Sequence, residues 1–325
     1  PALVGDGALM LFSAWEDGRN GGVFNRDIYF SRSPDNGVNW LNPDVRVNND
    51  ATTTNQIRPD LAYDQGSGRL YDVWQDGRNS VAEQNQTYDI YFAYSDNDGD
   101  TWSTNVMLND DAGSANQQNP SVAIGPAGEV YVVRQDERNN TADIYLVRSD
   151  NGGLPWTPTY FVTDDPDMTP QNHSSPTVAV EDTGGRVDVA WEDLRDPVHP
   201  EIYAMWSLNG GVTFGIDVPV TIEPPEARTT YRRDPTLAVQ TTEETVEYWD
   251  EVEEITKTKT TDVTVIHLAW TDGQGDDTDV YYAYANYMWD PEARETCPYP
   301  HDWDFCFKTP QQVNGFVIDS NYVVP

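Results

Sequence analysis

The stretch WEDGRN at residues 15–20 returns as WQDGRN at 74, RQDERN at 134, WEDLRD at 191 and WTDGQG at 270. A catalytic centre is needed once, so an acid-x-arginine motif written five times constrains architecture before it suggests chemistry. Aligned on Asp17, Asp76, Asp136, Asp193 and Asp272, the copies stand 59, 60, 57 and 79 residues apart. A period of this length marks a chain of supersecondary units that bury their apolar faces against one another.

Each unit carries four short apolar runs in fixed order. The first follows a proline: PALVG at 1, PDLAYD at 59, PSVAIG at 120, PTVAVE at 176 and PTLAVQ at 235. The second leads into the motif, and the third is DIYFSRS at 27, DIYFAYS at 89, DIYLVRS at 143, EIYAMWS at 201 and DVYYAYA at 279. A short fourth run, such as VRVNND at 45, closes the unit. The runs are rich in Val, Ile, Tyr and Phe and are separated by Gly, Asn and Asp, which is strand chemistry. The expected units are about 1–58, 59–119, 120–175, 176–234 and 235–325, with insertions at 241–265 and 286–309 in the last.

Between the third and fourth runs a turn recurs: SPDNGVNW at 33, SDNDGDTW at 95, SDNGGLPW at 149 and SLNGGVTF at 207. It resembles the Asp-box or BNR repeat of sialidase-like β-propellers, with Asp35 at the acidic position and Asn97, Asn151 and Asn209 in the later copies. Ser and Asp/Asn side chains suit the backbone N–H groups of such a turn, and Gly suits its positive φ. The opening PALVGDGALMLFSAWEDGRN also looks like the family's first blade. The resemblance implies an all-β fold of four-stranded blades. With five units in hand, the expectation is a five-bladed β-propeller closed end to end as one domain over 1–325. The alternative is an incomplete six-bladed sialidase-like propeller, six being the family's number. In the family, Asp-box turns lie on the outer edge of a blade, so the likeness bears on fold more than on function.

The fivefold motif is expected to be structural. Each third run opens with an acid, Asp27, Asp89, Asp143, Glu201 and Asp279, placed to lie near the motif acid. One guanidinium (Arg19, Arg78, Arg138 or Arg195) would then bridge two carboxylates. Deviant copies lose groups: Arg134 replaces the Trp, and Gln274 replaces the Arg beside Asp272. A sialidase, by the resemblance, would need an arginine cluster, a Tyr assisted by Glu, and an Asp acid/base. Arg19, Arg58, Arg232 and Arg233 are candidate arginines, but no motif carries a role onto them, and 18 tyrosines give no unique nucleophile. No catalytic residue is assigned.

Lysine and arginine number 19 against 55 acids, a formal net charge of −36, which repels nucleic acid and anionic membranes. No apolar run is long enough for membrane insertion. Sequons at Asn85, Asn139 and Asn172, and the spacing of Cys297 and Cys306 for a disulfide, favour a secreted or cell-surface glycoprotein. Two segments break the symmetry. The 241–265 insertion reads as a projecting hairpin whose edge invites self-assembly. The aromatic loop over 286–308 offers Trp289, Tyr299 and Trp303 as a stacking platform for sugar. No cofactor is required; calcium is possible at acidic loops such as GDDTD at 275, with no specific metal spacing. The expected function is a non-catalytic propeller that binds carbohydrate or assembles with copies of itself. The alternative is a sialidase-like glycoside hydrolase.

Overall fold

The computed structural model describes residues 1–21, 25–80, 86–111, 113–163, 172–182, 185–196, 198–220, 231–250, 255–274, 277–288 and 311–312. Asn85, Trp289, Cys297, Tyr299, Trp303 and Cys306 lie outside the described residues.

All regular structure among the described residues is strand, in five four-stranded antiparallel sheets, each taking its strands in chain order. Sheet 1 holds β1 (Ala2–Gly5), β2 (Leu11–Asp17), β3 (Asp27–Ser33) and β4 (Val45–Arg46). Sheet 2 holds β5 (Gln56–Asp64), β6 (Arg69–Asp76), β7 (Asp89–Ser95) and β8 (Val106–Met107). Sheet 3 holds β9 (Gln117–Ile124), β10 (Val130–Asp136), β11 (Asp143–Ser149) and β12 (Tyr160–Phe161). Sheet 4 holds β13 (His173–Val180), β14 (Val187–Asp193), β15 (Glu201–Ser207) and β16 (Val218–Pro219). Sheet 5 holds β17 (Tyr231–Asp250), β18 (Ile255–Gln274), β19 (Asp277–Met288) and β20 (Gln311–Gln312). The first strands of successive sheets lie side by side, so they form the inner layer and the two-residue fourth strands the periphery. The insertion at 241–265 lengthens β17 and β18 into a hairpin paired as far as Asp250↔Ile255.

Cores form between sheets. Phe12, Ala14, Ile28 and Phe30 of sheet 1 face Leu61, Leu70, Trp74 and Ala93 of sheet 2. The same division recurs from sheet 2 to 3, 3 to 4 and 4 to 5. Each sheet therefore has a leading face toward its predecessor and a trailing face toward its successor, which is why strands in the middle sheets are apolar on both sides.

The Asp-box turns join these seams. In sheet 2 the Ser95 hydroxyl accepts the Gly99 amide at 2.9 Å and Asn97 Oδ1 accepts the Thr101 amide at 3.0 Å. Gly99 sits at φ 84° against Phe30 of sheet 1, so close that a Cβ would fall 2.0 Å from the ring. Gly153 meets Phe92 of sheet 2 in the same way, and Gly211 meets Tyr131 of sheet 3. Arginines latch the turns from the preceding sheet: Arg32 donates to the Asp98 carbonyl at 2.7 Å, and Arg69 to the Gly152 carbonyl at 2.9 Å. Glycine is thus required twice over, by its φ and by the ring it rests on.

The outermost faces are open. Leu3 on the leading face of sheet 1 is 65% exposed, whereas its counterparts Leu61, Val122, Val178 and Leu237 are 5 to 8% exposed. Val280 on the trailing face of sheet 5 is 48% exposed, whereas Ile28, Ile90, Ile144 and Ile202 are fully buried.

Candidate functional site

The repeated loops and the linkers into each first strand gather at one end of the sheets. There the antiparallel register sets each motif acid directly opposite the third-strand acid: Asp17↔Asp27, Asp76↔Asp89, Asp136↔Asp143, Asp193↔Glu201 and Asp272↔Asp279. Like charges so placed repel and require donors around them. Trp74 Nε1 donates to Asp76 at 2.8 Å, and the Arg78 backbone amide and guanidinium donate to it at 2.9 and 2.6 Å. Arg19, Arg138 and Arg195 hold Asp17, Asp136 and Asp193 alike. Each guanidinium also lies over a third-strand tyrosine: Arg19 on Tyr29, Arg78 on Tyr91 and Arg195 on Tyr203, all at 4.0 Å.

Two sequence expectations need correcting here. The second carboxylate met by each guanidinium is not the third-strand acid. Arg19 reaches Asp44 and Arg195 reaches Asp217, each just before the fourth strand of its own sheet, whereas Arg138 reaches Asp110, which follows the fourth strand of the preceding sheet. The third-strand acids are instead met by asparagines: Asn20 to Asp27 at 2.7 Å, Asn79 to Asp89 at 2.7 Å and Asn139 to Asp143 at 3.3 Å. Nor does Arg134 lose a group by replacing Trp. It is fully buried, and its Nε donates to Asp136 at 3.4 Å, as the indole does elsewhere.

Neighbouring sheets are stitched at the start of each inner strand by Gln56, Gln117, His173 and Arg232, whose backbone amides donate to the carbonyls of Arg26, Tyr88, Ala142 and Pro200, each just before the third strand of the preceding sheet. Within their own sheets the Gln56 side chain donates to Asp76 at 3.2 Å and that of Gln117 to Asp136 at 3.3 Å. His173 stands 3.7 Å from Asp143 of sheet 3 and 3.4 Å from Asp193 of its own sheet. Arg232, buried, joins Glu201 of sheet 4 to Asp272 of sheet 5. Burial alone would raise the Asp193 pKa, but hydrogen bonds from His173 and Arg195 hold it at about 2.

Asn139 is therefore part of the frame: its Nδ2, the atom a glycan would occupy, also donates to the Tyr145 hydroxyl at 2.9 Å. Asn172 is exposed and uses its Oδ1, which accepts the Ala142 amide at 3.1 Å. Among the described residues no three His, Cys, Asp or Glu side chains are grouped to hold a metal ion.

The inner rim carries different chemistry. Immediately before the proline of β5, β9, β13 and β17, the residues Arg58, Asn119, Ser175 and Asp234 take φ of 53, 51, 50 and 52°. They sit at bulges where the inner-strand register shifts. Four non-glycine residues in the left-handed region thus recur at one repeated place, where the inner strand bulges. The side chain between Trp and Asp of the motif supports them across the seam. Glu16 accepts the Arg58 amide at 3.2 Å, and Gln75 accepts the Asn119 amide at 2.9 Å. Arg26 binds the other oxygen of Glu16, Arg58 reaches Asn119 Oδ1 at 2.5 Å, and Asn119 donates to Gln135 at 2.9 Å.

Further round, Glu192 of sheet 4 lies 3.6 Å from Arg233, beside Asp234. Glu192 is 6% exposed, and burial, only partly offset by Arg233, pushes its carboxyl up to about 7. Of the candidate arginines, Arg58 and Arg233 reach this rim, while Arg19 and Arg232 are committed to the frame. Glu192 was missed because it reads as one letter of the repeat. Its signal was the unbroken series of acceptors at that letter: Glu16, Gln75, Gln135, Glu192 and Thr271.

No protein-family model matches the sequence, and no curated protein matches it. Solved structures do resemble it. The intramolecular trans-sialidase from Ruminococcus gnavus superimposes with a TM-score of 0.58 at 11% identity, over 97% of this chain and 84% of that one. The α-L-arabinanase of Penicillium chrysogenum, complexed with arabinobiose, gives 0.53 at 14% identity, over 86% and 91%. A Hadza microbial sialidase gives 0.51 at 16% identity, over 88% of this chain, which spans 62% of that protein's length. These likenesses identify the fold as a sialidase-like β-propeller.

Proposed function

We propose that the chain is a secreted or cell-surface propeller that binds carbohydrate at its inner rim without cleaving it. The observation that carries this reading is the rim itself: Glu16, Glu192 and Asp234 alternate with Arg26, Arg58 and Arg233 and with the amides of Gln75, Asn119 and Gln135. Planar carboxylate, guanidinium and amide groups match pairs of sugar hydroxyls, and their local charges nearly balance within a strongly acidic protein. The frame arginines, held on carboxylates, are not free to converge on an anionic substrate.

A glycan-array screen, run with and without chelator, tests the reading and the place of calcium in it. Binding lost in Arg58→Ala and Arg233→Ala but kept in Arg19→Lys supports the rim. Binding unaffected by both rim variants removes it.

One observation favours a second reading, a glycoside hydrolase. A carboxyl near 7 beside an arginine is poised for proton transfer at neutral pH. Hydrolysis of aryl glycosides or sialosides at ordinary enzyme rates, abolished by Glu192→Gln, would establish that reading in place of the first.

A further inference from the structure

Asparagine followed by glycine is the sequence at which a main chain most readily attacks its own side chain, because no Cβ shields the glycine amide. Five such pairs occur here: Asn20 and Gly21, Asn36 and Gly37, Asn151 and Gly152, Asn209 and Gly210, and Asn314 and Gly315, the last outside the described residues. Three of the four described pairs are restrained. Gly21, Gly37 and Gly210 donate their amides to the Gly18 carbonyl at 3.2 Å, the Ser33 hydroxyl at 2.8 Å and the Gly185 carbonyl at 2.7 Å. The Asn20 side chain also donates to Asp27 and to the Tyr29 hydroxyl. That of Asn209 accepts from the Ser207 hydroxyl and the Thr213 amide and donates to the Thr213 hydroxyl.

The remaining pair, in the Asp-box turn of sheet 3, has neither restraint. Pro155 stands there where the turns of sheets 2 and 4 carry Thr101 and Thr213. Those threonine amides donate to Asn97 Oδ1 at 3.0 Å and to Asn209 Oδ1 at 2.9 Å. Proline has no amide to donate. Among the described residues Asn151 bonds only through its backbone amide, to the Ser149 hydroxyl at 3.3 Å, which leaves its exposed carboxamide unheld. Gly152 uses its carbonyl, which accepts Arg69 at 2.9 Å, and not its amide.

We infer that Asn151 is a site of spontaneous covalent modification, at which the Gly152 nitrogen attacks Asn151 Cγ. A C–N bond forms and closes a succinimide ring; the side-chain amide leaves as ammonia, taking the proton that the Gly152 nitrogen gives up. Water then adds to one of the two ring carbonyls and opens the ring to aspartate or to isoaspartate. Either product carries a new carboxylate. In isoaspartate the main chain runs through the side-chain carbon, so it gains a methylene immediately before Gly152. The next two residues are the ones that hold sheet 2, through the Gly152 carbonyl on Arg69 and through Gly153 on the Phe92 ring. Conversion at this one turn therefore loosens the joint between sheets 2 and 3.

The folded protein is incubated in mildly alkaline buffer beside the same chain in guanidinium chloride. Peptide masses follow amide-to-acid conversion at each described pair, and carboxyl-methyltransferase labelling identifies isoaspartate. Relative to their own rates in denaturant, Asn20, Asn36 and Asn209 should slow by more than about tenfold in the folded protein, while Asn151 slows by less than about threefold. Equal slowing at all four overturns the inference, as does conversion of the other three at the rate of Asn151. Pro155→Thr returns an amide donor to the turn and should slow Asn151 by about tenfold in the folded protein. An unchanged rate in that folded variant overturns the role given to the missing donor. Converted protein, separated by its added charge, should unfold at a lower denaturant midpoint than unconverted protein; equal midpoints overturn the effect on the joint.

Discussion

The three middle sheets and the two end sheets are written with the same repeat but live under different constraints. In β6, β10 and β14 every residue from Leu70 to Asp76, Val130 to Asp136 and Val187 to Asp193 is buried. In β2 burial alternates: Phe12 and Ala14 are covered, while Leu11, Ser13 and Trp15 are half-covered. The alternation is not a property of the strand. It shows that half of every sheet's core is contributed by the next sheet, so the stability of one unit is shared with its neighbours.

The sharpest break in this comparison is a matched pair of tryptophan truncations. Trp74→Ala removes a fully buried indole that also donates to Asp76, and should cost about 3–5 kcal/mol. Trp15→Ala, at the same repeat position on an open face, should cost only about 1 kcal/mol in the same denaturant titration. Equal losses would mean the end face is covered in solution.

Next in size is a pH effect. The Glu192 carboxyl is raised in the fold, so its contribution to stability is complete below its unfolded value near pH 4 and is lost as pH rises through about 7. The total is about 3 kcal/mol. Glu192→Gln should remove this slope from a series of denaturant midpoints between pH 4 and pH 8; an unchanged slope would show that another group titrates.

The Asp-box glycines give a third contrast. Gly99→Ala meets both the backbone penalty and the Phe30 ring, whereas Gly37→Ala meets the backbone penalty alone. The first should be worse by about 1–3 kcal/mol in thermal or denaturant unfolding.

The smallest effect expected has the opposite sign. Asp72, fully buried in sheet 2, has neither oxygen hydrogen-bonded; burial first, then the charge of Asp60, raises its pKa well above the usual range. Sheets 3 and 4 carry Val132 and Val189 at this position. Asp72→Val should stabilise by about 1 kcal/mol. A loss of stability would mean that the carboxyl has a partner.

Much of this architecture was legible from residues alone. Strand runs after each proline and acids at the head of each third run recur at a fixed period, and a period survives translation into space. The partner of each guanidinium was not legible, because it depends on the side chain crossing a tyrosine to a segment some 25 residues away, as Arg19 does to reach Asp44. The rim was hidden for a similar reason. Arg58, Asn119, Ser175 and Asp234 share no side-chain character; what they share is a backbone angle set by the bulge. Trp289, Tyr299 and Trp303, chosen for their aromatic company, fall outside the described residues, and the rim was found instead where the repeat is most regular.

That bulge has a consequence for how such a protein can change over generations. Its four positions keep one shape while tolerating a cation, an amide, a hydroxyl and an anion. A lineage can therefore exchange letters there and change the charge and hydrogen-bonding groups along that edge, while the girders between blades stay as they were.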